Sequence, residues 1–554
     1  MKNIILLVAI FCFTTSFMHG QNKIIHDAEY YVIEAQNGER WEADDKTIDA
    51  KLKEVRKKNG NQAPNIIYIL LDDIGFGEIG KPDLDVIRGY RTPRISSLAK
   101  EGMSLQRMYT EPSCTPTRVA MITGRLPTRT GIVEAKVVVC GEGLPAEEVT
   151  IAEVLRDAGY NTAHIGKWHM GDIEQCFANN QGFMHAEFPI HQQAQLALMN
   201  KDAEYAGIVQ GIQTDNLAQT FTLDNGFVPD PSDMVTGVEL RDGKLYEVDL
   251  AAGEKWTQDK YRKMNQRYQD HAIEQIQILS QKDEPFFLNY WPLFPVTFTL
   301  TDIEEFKTLN GGSMAESIVQ IDEWVGDIID EVDKLGIAEN TLIVVMGDNG
   351  PFMQYLRSSG QSDRVYRGGK GEHLEGGVRV DAYVRWKGTI EAGSSAMDII
   401  HISDLYTTFA RLGNATDYIP RDRIVDGIDQ TGVLLLGETN GRRDYIFNYE
   451  EYSLKSIVKN KFKMHLPPPG TNAILTSEIY DLYRDPRESR PESTILLSPW
   501  AGGSFGGMIE RHLKNKKKYP DRPMTHADPY EGIQNLRPES KKLVDTFHGA
   551  GSHE

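Results

Sequence analysis

Asn65-Ile-Ile-Tyr-Ile-Leu-Leu-Asp-Asp-Ile-Gly-Phe-Gly, residues 65–77, is an unbroken apolar run that ends in two carboxylates and two glycines. A strand with one wet face alternates apolar and polar residues; a run without that alternation is the pattern of a strand covered on both sides, as in a parallel sheet between helices. Ligands of such open sheets collect at the carboxyl ends of the strands, which is where Asp72 and Asp73 fall. Adjacent acids repel unless something cationic joins them. The pattern recurs at Thr341-Leu-Ile-Val-Val-Met-Gly-Asp-Asn-Gly, residues 341–350. If the two strand ends converge, Asp72, Asp73, Asp348 and the amide oxygen of Asn349 form an oxygen cage for a hard cation, Ca²⁺ before Mg²⁺. The ligand types do not suit zinc.

Outward from these strands the chain alternates strand and helix, which predicts an α/β fold. Helices are expected over 92–102, 146–158, 261–279, 313–335 and 403–412, and a buried strand from Pro285 to Trp291. The strand beginning at Asn161 runs into Lys167 and His169, two basic residues whose spacing on extended chain puts them on one side, facing a common ligand. The stretch 182–257, with His185 and His191, is irregular and long enough to line a substrate cleft. Tyr366 to Val380 is a glycine-rich loop carrying Arg367, Lys370, His373 and Arg379, suited to an oxyanion. Beyond Asp429, residues 443–449, 454–466 and 479–483 read as antiparallel strands, and the tail after Pro499 is polar and loosely patterned. The domains expected are an N-terminal extension over 21–62 with a helix near 47–57, a catalytic unit over 63–428 and a smaller unit over 429–554.

Residues 1–20 carry Lys2, an apolar run from Ile4 to Phe13 and then small polar residues, the layout of a secretory signal. Cys12 lies in that run behind Phe11, where a lipid-attachment motif wants a small residue. No later stretch is long and apolar enough to span a bilayer, so the mature chain is expected to be exported, periplasmic or secreted, without a membrane span. Of the mature cysteines, Cys140 and Cys176 are either a pair or two separate thiols. The net charge of −20 argues against nucleic acid as a partner and requires any anionic substrate to meet a locally basic pocket.

The remaining segment, Glu111 to Arg125, holds Cys114, Pro116, Arg118, Thr123 and Gly124. A cysteine opening a short helix sits at the positive end of the helix dipole, and Arg118 one turn on points back toward it. Cys-x-Pro-x-Arg-x-x-x-x-Thr-Gly resembles the signature of type I sulfatases, in which a maturation enzyme oxidises the cysteine to formylglycine. The resemblance extends in order from Pro64 to about Asp485. It implies an alkaline-phosphatase-like α/β sandwich, a large mixed, mostly parallel sheet between helices, with a C-terminal antiparallel subdomain. It implies calcium ligation by Asp72, Asp73, Asp348 and Asn349 with the oxidised Cys114. It further implies that Arg118, Lys167 and His169 hold the formylglycine hydrate and that Lys370 contacts sulfate. One family residue departs: the histidine of a Pro-His-Thr-Pro-like sequence is replaced, in Pro295-Val296-Thr297-Phe298, by Val296. The leaving-group proton is then expected from His373 or Lys370, with His373 preferred because an imidazole suits general acid work near neutral pH better than an ammonium group. The activity implied is hydrolysis of sulfate esters, on a sulfated carbohydrate or polysaccharide. The alternatives are a phosphodiesterase or phosphonate hydrolase of the same fold, or a non-catalytic binder of sulfated glycans.

Overall fold

The computed structural model describes residues 23–135, 141–190, 237–241, 244–248, 258–293, 312–351, 365–467, 477–492 and 503–528. The signal segment with Cys12, Cys140, His191, Val296 and the final residues lie outside them. Ten strands form one sheet. At its centre Thr341–Gly347, Asn65–Leu71, Phe286–Trp291, Asn161–Gly166 and His185–Pro189 run parallel in that order. Ala382–Arg385 lies antiparallel on the Thr341 side and continues to Met103–Leu105 and Ser394–Ala396. On the other side the hairpin Gly237–Arg241 and Lys244–Val248 pairs antiparallel with His185–Pro189.

Strand 65–71 is buried at every position, and its side chains divide between two cores. Ile66, Tyr68 and Leu70 pack with the helices around Val119, Leu155 and Phe409; Ile67, Ile69 and Leu71 pack with those around Ile95, Ile276 and Ile328. That division is the period-2 pleat read in three dimensions, and it makes the domain a sheet between two helical layers. Leu71 pairs with Gly347, so the acids that follow the two strands emerge side by side.

The C-terminal unit is a four-stranded antiparallel sheet of Tyr445–Glu450, Ser453–Lys459, Phe462–His465 and Glu478–Asp481. The stretch 454–466, expected as one strand, is a hairpin. Asn460 takes a left-handed φ of 54° at its turn, a conformation asparagine tolerates well. Three helices differ from expectation. The N-terminal helix runs from Ala28 to Lys58, because its buried residues Ile33, Trp41, Ile48 and Leu52 lie one to two turns apart, too sparse a stripe to read as a period. The tail after Pro499 contains a helix, Gly503–Lys518, whose Phe505 and Met508 are buried although glycines weaken its propensity. The expected 146–158 helix begins only at Ile151, where Thr150 and Glu153 form a reciprocal capping box. Ile33 and Trp41 share a core with Tyr445, Phe447, Phe505 and Met508, while Ile48 and Leu52 join the main core. The N-terminal helix therefore spans both units. No helix among the described residues is long and apolar enough to cross a membrane.

Gly166 ends the strand that delivers Lys167. Its φ is 99°, and a Cβ there would lie 2.1 Å from the carbonyl oxygen of Trp291. Gly166→Ala should therefore cost more than about 2 kcal/mol, from backbone strain and overpacking together. The check is a denaturant melt, with the loss expected in the midpoint rather than the slope.

Candidate active site

Asp72, Asp73, Cys114 and Asp348 each contribute a ligand atom to one buried group, and these atoms lie within 4.8 Å of one another. The two strand ends thus converge as their sequence suggests. Asp73 has a left-handed φ of 58°, a strained conformation for a non-glycine residue and one found disproportionately at functional sites. Its N–H donates to Asp348 Oδ1 at 2.9 Å. The turn that follows is shaped by Asp381, whose Oδ2 accepts from the N–H groups of Gly77, Glu78 and Ile79. Sequence reading missed Asp381; the acid two residues after Arg379 was its only signal.

Cys114 is the first residue of the helix Cys114–Thr123, which is buried at all ten positions. Its Sγ lies 3.7 Å from Asp73 Oδ1. Arg118 Nη2 donates to Asp348 Oδ2 at 2.8 Å and lies 3.3 Å from Asp72 Oδ1. The guanidinium packs over the Trp291 ring, 4.9 Å from its centroid, and Nη1 donates to the Lys167 carbonyl. Lys167 Nζ bonds Asp72 Oδ1. Lys370 Nζ reaches Asp73 Oδ1 at 2.8 Å. Asn349 donates to Asp73 Oδ1 through its side-chain amide at 2.8 Å.

Three carboxylates and three cations thus interlock in a dry volume. Burial alone pushes Asp72 up, but Lys167, Lys370 and Arg118 outweigh it and hold the group below the usual carboxylate range. Asp348 goes the other way, pushed up to about 7 by burial and then by the charge of Asp72. Burial, and after it the charge of Asp348, drives the Cys114 thiol well above its ordinary value. An unmodified thiol here is held protonated and makes a poor nucleophile.

The donor set fits a calcium ion. Two oxygens within it, Asp72 Oδ2 and Asn349 Oδ1, are buried with no hydrogen-bond partner, and an orphaned buried acceptor is costly unless a cation faces it. Hard carboxylate and amide oxygens without histidine match that ion.

Lys167 and His169 do not share one face of extended chain as their spacing suggested. The strand ends at Gly166, and His169 adopts a φ of 60°, so strand alternation does not apply to it. Both side chains are buried. The His373 Nδ1 lies 2.7 Å from Glu450 Oε1 on the C-terminal sheet, and its ring meets His465 edge to face at 5.0 Å. His185 is engaged with Glu187 at 2.7 Å, which also binds His271 at 2.5 Å. Cys176 is a free buried thiol.

A family model described as Sulfatase matches residues 64–415. The chain is similar to arylsulfatase A of Homo sapiens, 30% identical over 77% of this chain and 82% of that protein. It is also similar to N-acetylgalactosamine-6-sulfatase of Mus musculus, 29% identical over 73% of this chain and 72% of that protein. Among solved structures, PsFucS1 sulfatase from Pseudoalteromonas sp. superposes with a TM-score of 0.75 at 26% identity, covering 87% of this chain and 96% of that one.

Two predictions concern the cage. Calcium at about 100 times its Kd should stabilise the fold by roughly 2.7 kcal/mol, a gain that Asp72→Ala removes, read as the calcium-dependent shift in Tm. The second concerns pH. Because the Asp348 pKa rises on folding from 3.8 to about 7, its contribution to the stability of the calcium-free protein is complete below about pH 4 and is lost as pH climbs through 7. Calcium would bind the ionised form, so its affinity should tighten as pH rises from 6 toward 8, by up to about tenfold per unit below the Asp348 pKa; titration calorimetry at stepped pH checks it.

Proposed function

The chain belongs to the sulfatase family of the alkaline phosphatase superfamily, and on that premise we propose that it hydrolyses sulfate esters of a carbohydrate through formylglycine made from Cys114 beside a bound calcium ion. It is a sulfuric ester hydrolase. The observation that carries the finer reading is the meeting of the Cys114 thiol with three carboxylates, Arg118, Lys167 and Lys370 in one buried cluster. A thiol held protonated there has little use as a thiolate, whereas an oxidised, hydrated side chain gains from the same cations.

Calcium held by Asp72, Asp73, Asp348 and Asn349 would supply Lewis acidity toward an oxygen ligand at the Cys114 position. Formylglycine hydrate would supply a geminal diol, one hydroxyl to attack sulfur and a second through which sulfate is expelled. The chain's own residues do the rest. Arg118, anchored to Asp348 and Asp72 and stacked on Trp291, fixes positive charge beside the nucleophile. Lys167 and Lys370 hold the negative charge that spreads over the sulfuryl oxygens, and such preorganised charge is usually the largest single catalytic contribution. Lys370, with 10% of its side chain exposed, is the more open of the two lysines and suits contact with incoming sulfate. His169 is the base that releases sulfate. For the leaving group, His373 can donate only through Nε2, since Nδ1 is committed to Glu450.

A carbohydrate substrate is supported by the similarity to N-acetylgalactosamine-6-sulfatase. The N-terminal layout supports export to the periplasm or medium, and maturation requires a formylglycine-generating partner. The domain limits proposed remain 63–428 for the catalytic unit and 429–554 for the C-terminal one.

Peptide mass spectrometry should find the aldehyde in place of the Cys114 thiol. Cys114→Ala should keep calcium binding yet lose nearly all sulfate release from an aryl sulfate; retained turnover would refute the nucleophile, and faster release from the matching aryl phosphate would reassign the ester class. A further test separates the proton donor. His373→Ala should slow a sugar sulfate by about 10²–10⁴-fold and an activated phenyl sulfate far less. Equal losses on both would return the role to Lys370.

A further inference from the structure

Lys370 stands on a glycine-rich loop whose ends are joined by the Gly376 N–H, which donates to Arg367 O at 2.7 Å. Positions 368, 369 and 371 are glycine, with left-handed φ of 92° at Gly368 and 88° at Gly371, so this stretch has almost no side chains to pack. On the catalytic side its backbone is tied by Lys370 N–H to Pro351 O at 3.0 Å and Gly371 N–H to Pro112 O at 2.6 Å, and its side chains by Lys370 Nζ to Asp73 Oδ1 and by the Tyr109 hydroxyl, which donates to Glu375 Oε2 at 2.9 Å. Further side-chain anchors come from the C-terminal unit. Glu450 accepts from the His373 N–H and meets Nδ1. Glu488 does more: its Oε2 accepts from the Glu375 N–H at 2.7 Å, and its carbonyl accepts from Arg367 Nη1 at 2.7 Å. It thereby grips the loop at both ends.

The construction around Glu488 is specific. The residue is fully buried and held at φ 51°, a conformation costing of order 1 kcal/mol that persists only where surroundings enforce it. Asp485 enforces it, accepting from the N–H groups of Ser489 and Arg490 through Oδ2, and from the Glu488 N–H through its carbonyl. The other oxygen, Glu488 Oε1, meets Lys463 Nζ at 3.1 Å and His465 Nε2 at 2.7 Å. Lys463, itself fully buried, also bonds Glu375 Oε1 at 3.1 Å. One buried carboxylate thus joins the third strand of the C-terminal sheet to the loop that carries a lysine of the active site.

We propose that Glu488 is a positioning residue for the sulfatase reaction, fixing the Arg367–Glu375 loop so that Lys370 is held against Asp73 and the substrate sulfate. This rests on the role given to Lys370 above. Because it acts through Lys370, its contribution vanishes when that lysine is absent.

The test is a double-mutant cycle on full-length, formylglycine-bearing enzyme with 4-nitrocatechol sulfate, whose activated phenol keeps slow variants measurable. Glu488→Ala should lower kcat/KM by about 10–100-fold, the usual scale for residues that orient a site from behind. In a Lys370→Ala background the same change should cost less than about twofold. Amide exchange should also accelerate across 368–376 in Glu488→Ala. Glu488→Gln, which keeps an acceptor for the Glu375 N–H, should retain more activity and serves as the probe should the alanine variant not fold. Equal factors in both backgrounds, no loss in either, or unchanged exchange over the loop would overturn the assignment. Failure of Lys370→Ala to slow an otherwise active enzyme would instead refute the role of Lys370, which separates the two ideas.

Discussion

The arrangement depends on like charges brought together where water cannot separate them. Asp72, Asp73 and Asp348 sit in a volume where each repels the others, and burial of even one such charge costs several kcal/mol. Arg118, Lys167 and Lys370 must therefore come from three other segments, and their reach sets where those segments lie. Gly166 is pressed against the Trp291 carbonyl, the Cys114 helix is buried at every position, and the glycine loop is gripped from the C-terminal sheet. These are consequences of delivering three cations to one place. The same balance still leaves two of the oxygens, Asp72 Oδ2 and Asn349 Oδ1, without a donor.

Much of this was legible in the chain. Apolar runs ending in acids placed Asp72, Asp73 and Asp348 together, because two-sided burial and strand-end chemistry are local patterns. The helix opened by Cys114 and the basic loop at Lys370 were legible for the same reason. What escaped depends on tertiary geometry. His169 was expected to follow strand alternation, but the strand stops at Gly166 and the backbone turns left-handed. For His373 the sequence did not show that Nδ1 would be engaged by Glu450, which leaves Nε2 for the proton transfer proposed above. Asp381 and Glu488 carry no motif; each acts by accepting from backbone N–H groups, and no residue pattern announces such bonds. The helices 28–58 and 503–518 were under-read because they are stabilised by packing on one another's surroundings, not by an apolar stripe of their own.

The two units also differ in how they are held. The main sheet is covered on both faces by its own helices, whereas the C-terminal sheet borrows its cover from both chain termini: Ile33 and Trp41 from one, Phe505 and Met508 from the other. Asp27 makes that borrowing explicit, pairing with Arg129 at 2.9 Å and with His512 at 3.0 Å. A change in either terminal helix is thus felt by the sheet that supports Lys463 and Glu488.

The parallel pairing has a consequence in time. Asp73 and Asn349, neighbours in the folded protein, are 276 residues apart in the chain. The central strand can close only after most of the polypeptide exists, and at a synthesis rate of roughly 5–20 residues per second that interval lasts on the order of tens of seconds. From its synthesis until that closure, the segment around Cys114, buried in the folded protein, is not yet sealed by the sheet. Long sequence separation normally slows folding at no evident gain. Here the delay is the period in which a residue destined for the interior can still be chemically altered.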